Sequence, residues 1–204
     1  STVVGFPHRA HKPQSVDQDA PVLIIAQLNA RVQPIDRSEN FEIPLDKMLR
    51  AAGYGDVTGG GTQLAPEPDG IAHCDIEIAV KEASDEVVQK VIFTLEEIGA
   101  PKGSWLNFSE GQDSIAFGRS EGMGLFLNGT DLPDEVYANS DVNDVIERCE
   151  KRMDGAGQFR GHREGSRETA LYFYGDSLEM MQSATADLIA TEPLCEKARV
   201  LQIA

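Results

Sequence analysis

The sequence predicts an α+β protein in which one βαββαβ unit is used twice in tandem. Three observations predict it. First, Gly53, Gly55 and Gly59 match Gly155, Gly157 and Gly161, both sets reading G-x-G-x-x-x-G at an offset of 102 residues. Second, an offset of 93 carries Ile76, Ile78 and Val80 onto Thr169, Leu171 and Phe173, and Ser84, Gln89 and Leu95 onto Ser177, Gln182 and Leu188. Third, strand-like and helix-periodic segments follow one another in the same order in both halves. The offsets differ by nine residues, which puts a longer loop in the first copy, between Thr62 and Ala72. Pro66, Pro68 and Gly70 in that stretch favour turns.

The first copy opens on a β-rich run, Val22–Val32. Pro44, suited to a first helical turn, opens a helix over Leu45–Ala52 that Gly53 stops. Strands are expected over Asp56–Leu64 and Ile71–Val80. Ser84 is a good N-cap for a helix over Asp85–Ile98, whose Val87, Val88, Val91, Ile92, Leu95 and Ile98 form one apolar stripe. Gly99 and Pro101 end that helix, and Ser104–Phe108 is the last strand.

The second copy repeats the order. Met123–Asn128 reads as a strand, and Ser140 or Asp141 caps a helix over Val142–Met153. Gln158–Glu164 and Glu168–Tyr174 form a hairpin around Gly165, Ser166 and Arg167. Asp176 or Ser177 caps a helix running to Thr191, and Ala198–Ile203 is the final strand. Ser114–Phe117 reads as an extra strand joining the halves. Each half therefore has the split-βαβ, or ferredoxin-like, arrangement with an antiparallel sheet. The expected division is an N-terminal flexible arm over 1–19, a first unit over 20–110 and a second over 111–204. Phe93, Leu95, Ile98, Phe126, Phe159, Leu171, Phe173 and Leu188 are the expected core.

Charge limits the partners. The chain has 34 Asp and Glu against 18 Lys and Arg, a formal net charge of −16 over 204 residues. The excess is shared equally between residues 1–110 and 111–204, so it belongs to the folded surface and not to a tail. Such a surface repels nucleic acid and anionic lipid and attracts cationic partners. The longest apolar run, Val22–Ala26, is too short for a membrane span. Cys74, Cys149 and Cys195 are odd in number and widely spaced, which gives neither a disulfide framework nor a metal motif. The first fifteen residues lack the apolar core of a signal peptide, and the expected compartment is the cytoplasm.

Strand alternation selects the candidate site. In the second hairpin it sends Phe159, Leu171 and Phe173 toward the helices. Arg160, His162, Glu164, Tyr172 and Tyr174 are then expected together on the opposite, open face. Arg and Tyr are the types enriched in binding surfaces. His162 and Glu164 also have the spacing of an acid–base pair, though no nucleophile motif accompanies them. His73, Asp75 and Glu77 share one strand face, but no further metal ligand lies nearby in sequence. Gly59, Gly60 and Gly61 are expected inside or beside a strand, marking a bulge or the close approach of another backbone, and not a phosphate cradle.

No catalytic residue, metal or cofactor is expected. The leading expectation is a protein-binding module that takes a basic protein, by analogy of class an immunity-type inhibitor of a basic effector. One alternative is a small-molecule-binding or catalytic module around His162. Another is an assembly subunit, a homo-oligomer that buries its open faces.

Overall fold

Val22–Leu28 buries Ile24, Ala26 and Leu28 and leaves Leu23 and Ile25 partly in solvent, as a strand covered on one face does. This is β1 in a computed structural model that describes residues 19–204. The expected arm lies, apart from Asp19, outside the described residues. The strand stops at Leu28 and not at Val32, because a helical run already starts at Pro34. That run comprises α1 (Pro34–Arg37), a π-helical segment (Ser38–Glu42) and α2 (Ile43–Ala52). It begins ten residues earlier than Pro44 suggests. Pro44 has no N–H to give to the carbonyl four residues back, and its ring crowds that carbonyl. The chain widens just before it, and Ile43 N–H bonds to Ser38 O. Gly53 closes α2 at φ 69°, a conformation glycine adopts without strain.

The remaining strands of the first sheet are β2 (Gly55–Leu64), β3 (Ile71–Val80), β4 (Ser104–Phe108) and β5 (Ile115–Phe117). The helix α3 (Asp85–Glu97) starts where Ser84 accepts from Val87 N–H. In the second unit come β6 (Glu121–Asn128), α4 (Asp134–Asn139), α5 (Val142–Met153), β7 (Gln158–Glu164), β8 (Glu168–Gly175), α6 (Leu178–Thr191) and β9 (Arg199–Gln202). The short α4 has no buried side chain and no apolar stripe to announce it in the sequence.

The strand orders are β2-β3-β1-β4-β5 and β7-β8-β6-β9. Leaving β5 aside, both follow the order 2-3-1-4 of a ferredoxin-like unit, and every pairing between named strands is antiparallel. The protein is thus a tandem repeat of two such units. The extra strand β5 does not join the halves; it pairs with β4 and widens the first sheet.

The glycine match reflects a shared irregularity. The register shifts between Val57 and Gly59 in β2 and between Phe159 and Gly161 in β7. Thr58 and Arg160 are therefore equivalent bulge residues, 102 positions apart. Gly60 makes room for side chains as well as for a backbone: an added Cβ would lie 2.3 Å from Glu42 Oε1, 2.8 Å from Arg37 Nε and 2.9 Å from the carbonyl oxygen of Asp75. Glu42 and Arg37 form an ion pair at 2.7 Å beneath the strand, and Arg37 also donates to Thr62 Oγ1 at 2.7 Å.

Two cores result. One is the space between the second sheet and α5 and α6, holding Met123, Leu125, Leu171, Phe173, Met181 and Leu188. The other holds the covered face of the first sheet with Leu45, Leu49, Val91 and Leu95 from its helices. That core continues without interruption into Phe126, Ala170, Tyr172, Tyr174 and Ile203 of the second sheet. The layers run sheet, helices, sheet, helices. Of the expected core, Leu95, Phe126, Leu171, Phe173 and Leu188 are buried, and Ile98 and Phe159 are partly covered. Phe93 is the correction: it is exposed on α3, with Lys90 Nζ 5.3 Å from its ring centre. Among the described residues no helix is long and apolar enough to cross a membrane.

Candidate functional site

The bulge at Arg160 scatters the five residues expected on one face. After it, Gly161 lies opposite Tyr172, His162 opposite Leu171 and Glu164 opposite Thr169. Paired residues point the same way, so His162 and Glu164 share the face of Phe159, not that of the tyrosines. The Phe159 and His162 rings stack with centres 6.5 Å apart. Simple alternation fails here because it counts the bulged residue as a strand position. The repeat of G-x-G-x-x-x-G held the signal, since a glycine-marked bulge in one copy predicts one in the other.

The tyrosines lie on the expected face, but that face is closed by the first unit. Tyr172 is fully buried and Tyr174 nearly so. Tyr174 Oη accepts from Arg31 N–H at 2.8 Å, and burial pushes its hydroxyl pKa up. Burial raises that of Tyr172 as well, against the pull of Arg31 and Arg163. Tyr172 Oη makes no hydrogen bond among the described residues. Arg160 also turns inward, giving Nη1 to Asn40 Oδ1 at 2.9 Å and Nη2 to Ile98 O at 3.2 Å. Burial lowers its pKa. These three anchor one unit to the other within the same chain.

The nine-residue insertion in the first copy has a role at this seam. Its Glu67 accepts from Ser166 N–H at 2.9 Å and from Ser166 Oγ, and lies 3.6 Å from Arg163 Nη2. These contacts hold the Glu67 carboxyl below the usual range, the Ser166 hydroxyl contributing most. Asp69 pairs with Arg31 at 3.2 Å. The loop clasps the β7–β8 turn.

His162 and Glu164 stay exposed at a seam groove of about 610 Å³ that also involves Gln33, Pro34, Leu64 and Ile71. Gln33 Nε2 donates to His162 O at 2.6 Å. Nearby, burial raises the Asp36 carboxyl, and the charge of His162 draws it back.

The open face that does meet solvent is that of the first sheet. Leu23, Ile25 and Trp105 lie on it with 49%, 41% and 42% of their surfaces exposed. The register places Glu77 beside Ile25 and Asp75 beside Gln27 on the same face. A hollow of about 280 Å³ lies among Leu23, Ile25, Glu77, Asn107 and Phe108. His73 Nε2 is 3.9 Å from Asp75 Oδ1. That oxygen is shielded from water yet accepts no hydrogen bond among the described residues. Sequence reading placed Asp75 and Glu77 on this face but gave them no role, because it assigned the aromatic anchors to the other unit. Trp105, the single Trp, was the overlooked signal.

The thiols carry no chemistry. Cys74, Cys149 and Cys195 are all buried, and desolvation pushes them up to about 12, about 11 and about 12.

No family model matches the chain, and no curated protein matches it. Among solved structures it is similar to the first two RRM domains of yeast poly(U) binding protein, at 12% identity over 90% of this chain and 99% of that one, with a TM-score of 0.23. It is also similar to the regulatory subunit of aspartate kinase from Thermus thermophilus, at 12% identity over 84% and 93%, with a TM-score of 0.26. A protein of unknown function from Galdieria sulphuraria is 7% identical over 90% and 96%, with a TM-score of 0.29. Likenesses this distant carry no argument about function, and the fold stands on the strand order of this chain alone.

Proposed function

We propose that the chain is a protein-binding module for a basic partner, and that the partner seats on the open face of the first sheet. The observation that carries this reading is the group Leu23, Ile25 and Trp105, held on a regular sheet and flanked by Asp75 and Glu77. Apolar side chains on a rigid strand face can be desolvated without reordering the backbone, and Trp is a typical anchor residue. The partly exposed Asp75 carboxylate and the exposed Glu77 beside it suit a Lys or Arg donor from the partner. The net charge of −16 speeds encounter with a cationic surface, while contacts within about 8 Å decide specificity at physiological salt. Inhibition of a basic effector, in the manner of an immunity protein, is one use of such a surface.

The test is affinity capture with the tagged chain, run beside Ile25→Glu and beside His162→Ala/Glu164→Ala. The reading expects a basic protein that is lost with Ile25→Glu and kept with the double variant. A partner lost with the double variant instead places binding at the seam groove. The groove favours a second reading, a small-molecule site around His162, Glu164 and Asp36.

A further inference from the structure

Glu77 lies opposite Gly59 across β2 and β3 as Tyr172 lies opposite Gly161 across β7 and β8, so the two hold equivalent places in their units. Tyr172 is fully buried, whereas Glu77 is exposed. Among the described residues the Glu77 carboxylate enters no ion pair and no hydrogen bond; only its backbone carbonyl accepts, from Thr58 Oγ1 at 3.4 Å.

A glycine sets where that carboxylate rests. An added Cβ on Gly59 would lie 2.9 Å from Glu77 Oε2, so the carboxylate lies over a strand position that carries no side chain. It there joins the hollow of about 280 Å³, whose apolar lining is Leu23, Ile25 and Phe108 and whose polar lining includes Thr58 and Asn107. A guest for this hollow is apolar along its length and cationic at one end. A lysine side chain is both, because its stem packs on apolar surface while its head keeps the charge. Its three rotatable donors can reach the carboxylate and nearby side-chain oxygens from one point, whereas the planar arginine fork matches a single carboxylate. Asp75, two residues along the same strand face, adds to the attraction. A second copy of the chain would bring its own net charge of −16 and is repelled.

We propose that this hollow is a lysine pocket, taking the four-carbon stem of one partner lysine between Leu23, Ile25 and Phe108 and its ammonium at Glu77. This inference rests on the partner surface proposed above, but the pocket itself is tested without a partner.

The probe is n-butylammonium chloride, which carries the stem and the charge of lysine. It is titrated into the 15N-labelled 204-residue chain and followed by two-dimensional NMR, with ammonium chloride and n-butanol as controls. Amide shifts should cluster at Leu23, Ile25, Glu77 and Asn107, with a dissociation constant on the order of 10 mM. Glu77→Gln should weaken the response roughly fivefold. Gly59→Ala keeps the charge but displaces the carboxylate, and should weaken it too. Shifts unchanged in both variants overturn the pocket, as do shifts that ammonium chloride or n-butanol reproduces. A captured partner lost with Ile25→Glu but held at parent affinity by Glu77→Gln refutes the lysine and leaves the partner surface standing. Butylammonium shifts at the hollow beside a partner indifferent to Ile25→Glu overturn the partner surface, and the partner's lysine with it.

Discussion

Asp46 Oδ1 accepts the backbone N–H of Val57 at 2.9 Å, and in the second unit Glu150 Oε2 accepts that of Phe159 at 3.3 Å. Val57 and Phe159 are equivalent residues on edge strands, each directly before the bulge. In both copies the preceding helix supplies a carboxylate to a donor that has no strand partner on that side. The bond from Val57 is the main cause that lowers the Asp46 pKa, with Arg50 adding to it at 2.8 Å. Asp46→Ala should destabilise the fold by about 1–2 kcal/mol in a urea titration, and Glu150→Ala by less, because its bond is longer. Equal and negligible effects would remove the carboxylate from this role.

The two tyrosines give a sharper contrast. Tyr174→Phe leaves the N–H of Arg31 without its acceptor and should lower stability by about 1–3 kcal/mol. Tyr172→Phe removes a buried hydroxyl with no bond to lose and should be neutral within about 0.5 kcal/mol or stabilising. Differential scanning calorimetry of the pair checks both. The reverse order would contradict the seam described here.

Phe173 sits fully buried between the second sheet and its helices, whereas Phe93 faces solvent. Phe173→Ala should cost about 3–5 kcal/mol, and Phe93→Ala should stay within about 0.5 kcal/mol of the parent. A thermal midpoint unmoved by Phe173→Ala would overturn the strand assignment.

These pairs also mark what was readable in the sequence. The tandem unit was legible because glycines, caps and strand order repeat, and each is a local signal. The helix stripe of α3 was legible as well; Phe93, counted in the expected core for its size, lies outside that stripe and is exposed. The site was not legible. Arg160, His162 and Glu164 read as one strand face until a bulge shifts the phase, and bulges depend on pairing with β8. Tyr172 and Tyr174 read as partner anchors, and the partner they meet is the first unit. No single-unit pattern reveals how two units pack.

The thiols predict a pH dependence. All three folded-state values are raised by burial, so the folded thiols stay protonated while unfolded ones ionise from about pH 8.5. Stability from this source is intact below that pH and is lost as pH rises toward 11 and 12. At pH 8 the native protein should resist a thiol reagent that labels three sites in denaturant. Fast labelling of the native protein would contradict the buried placement.

The central claim is that the partner surface is the open face of the first sheet. It is tested most directly by association and dissociation rates for the captured basic protein against four forms of the chain. These are the parent, Ile25→Glu, Trp105→Ala and His162→Ala/Glu164→Ala. The account predicts at least a roughly tenfold loss of affinity for Ile25→Glu and Trp105→Ala, seen mainly as faster dissociation. It predicts little change for the double variant, and an association rate that falls as salt rises. Full affinity in Ile25→Glu and Trp105→Ala, with the loss confined to His162→Ala/Glu164→Ala, would contradict it.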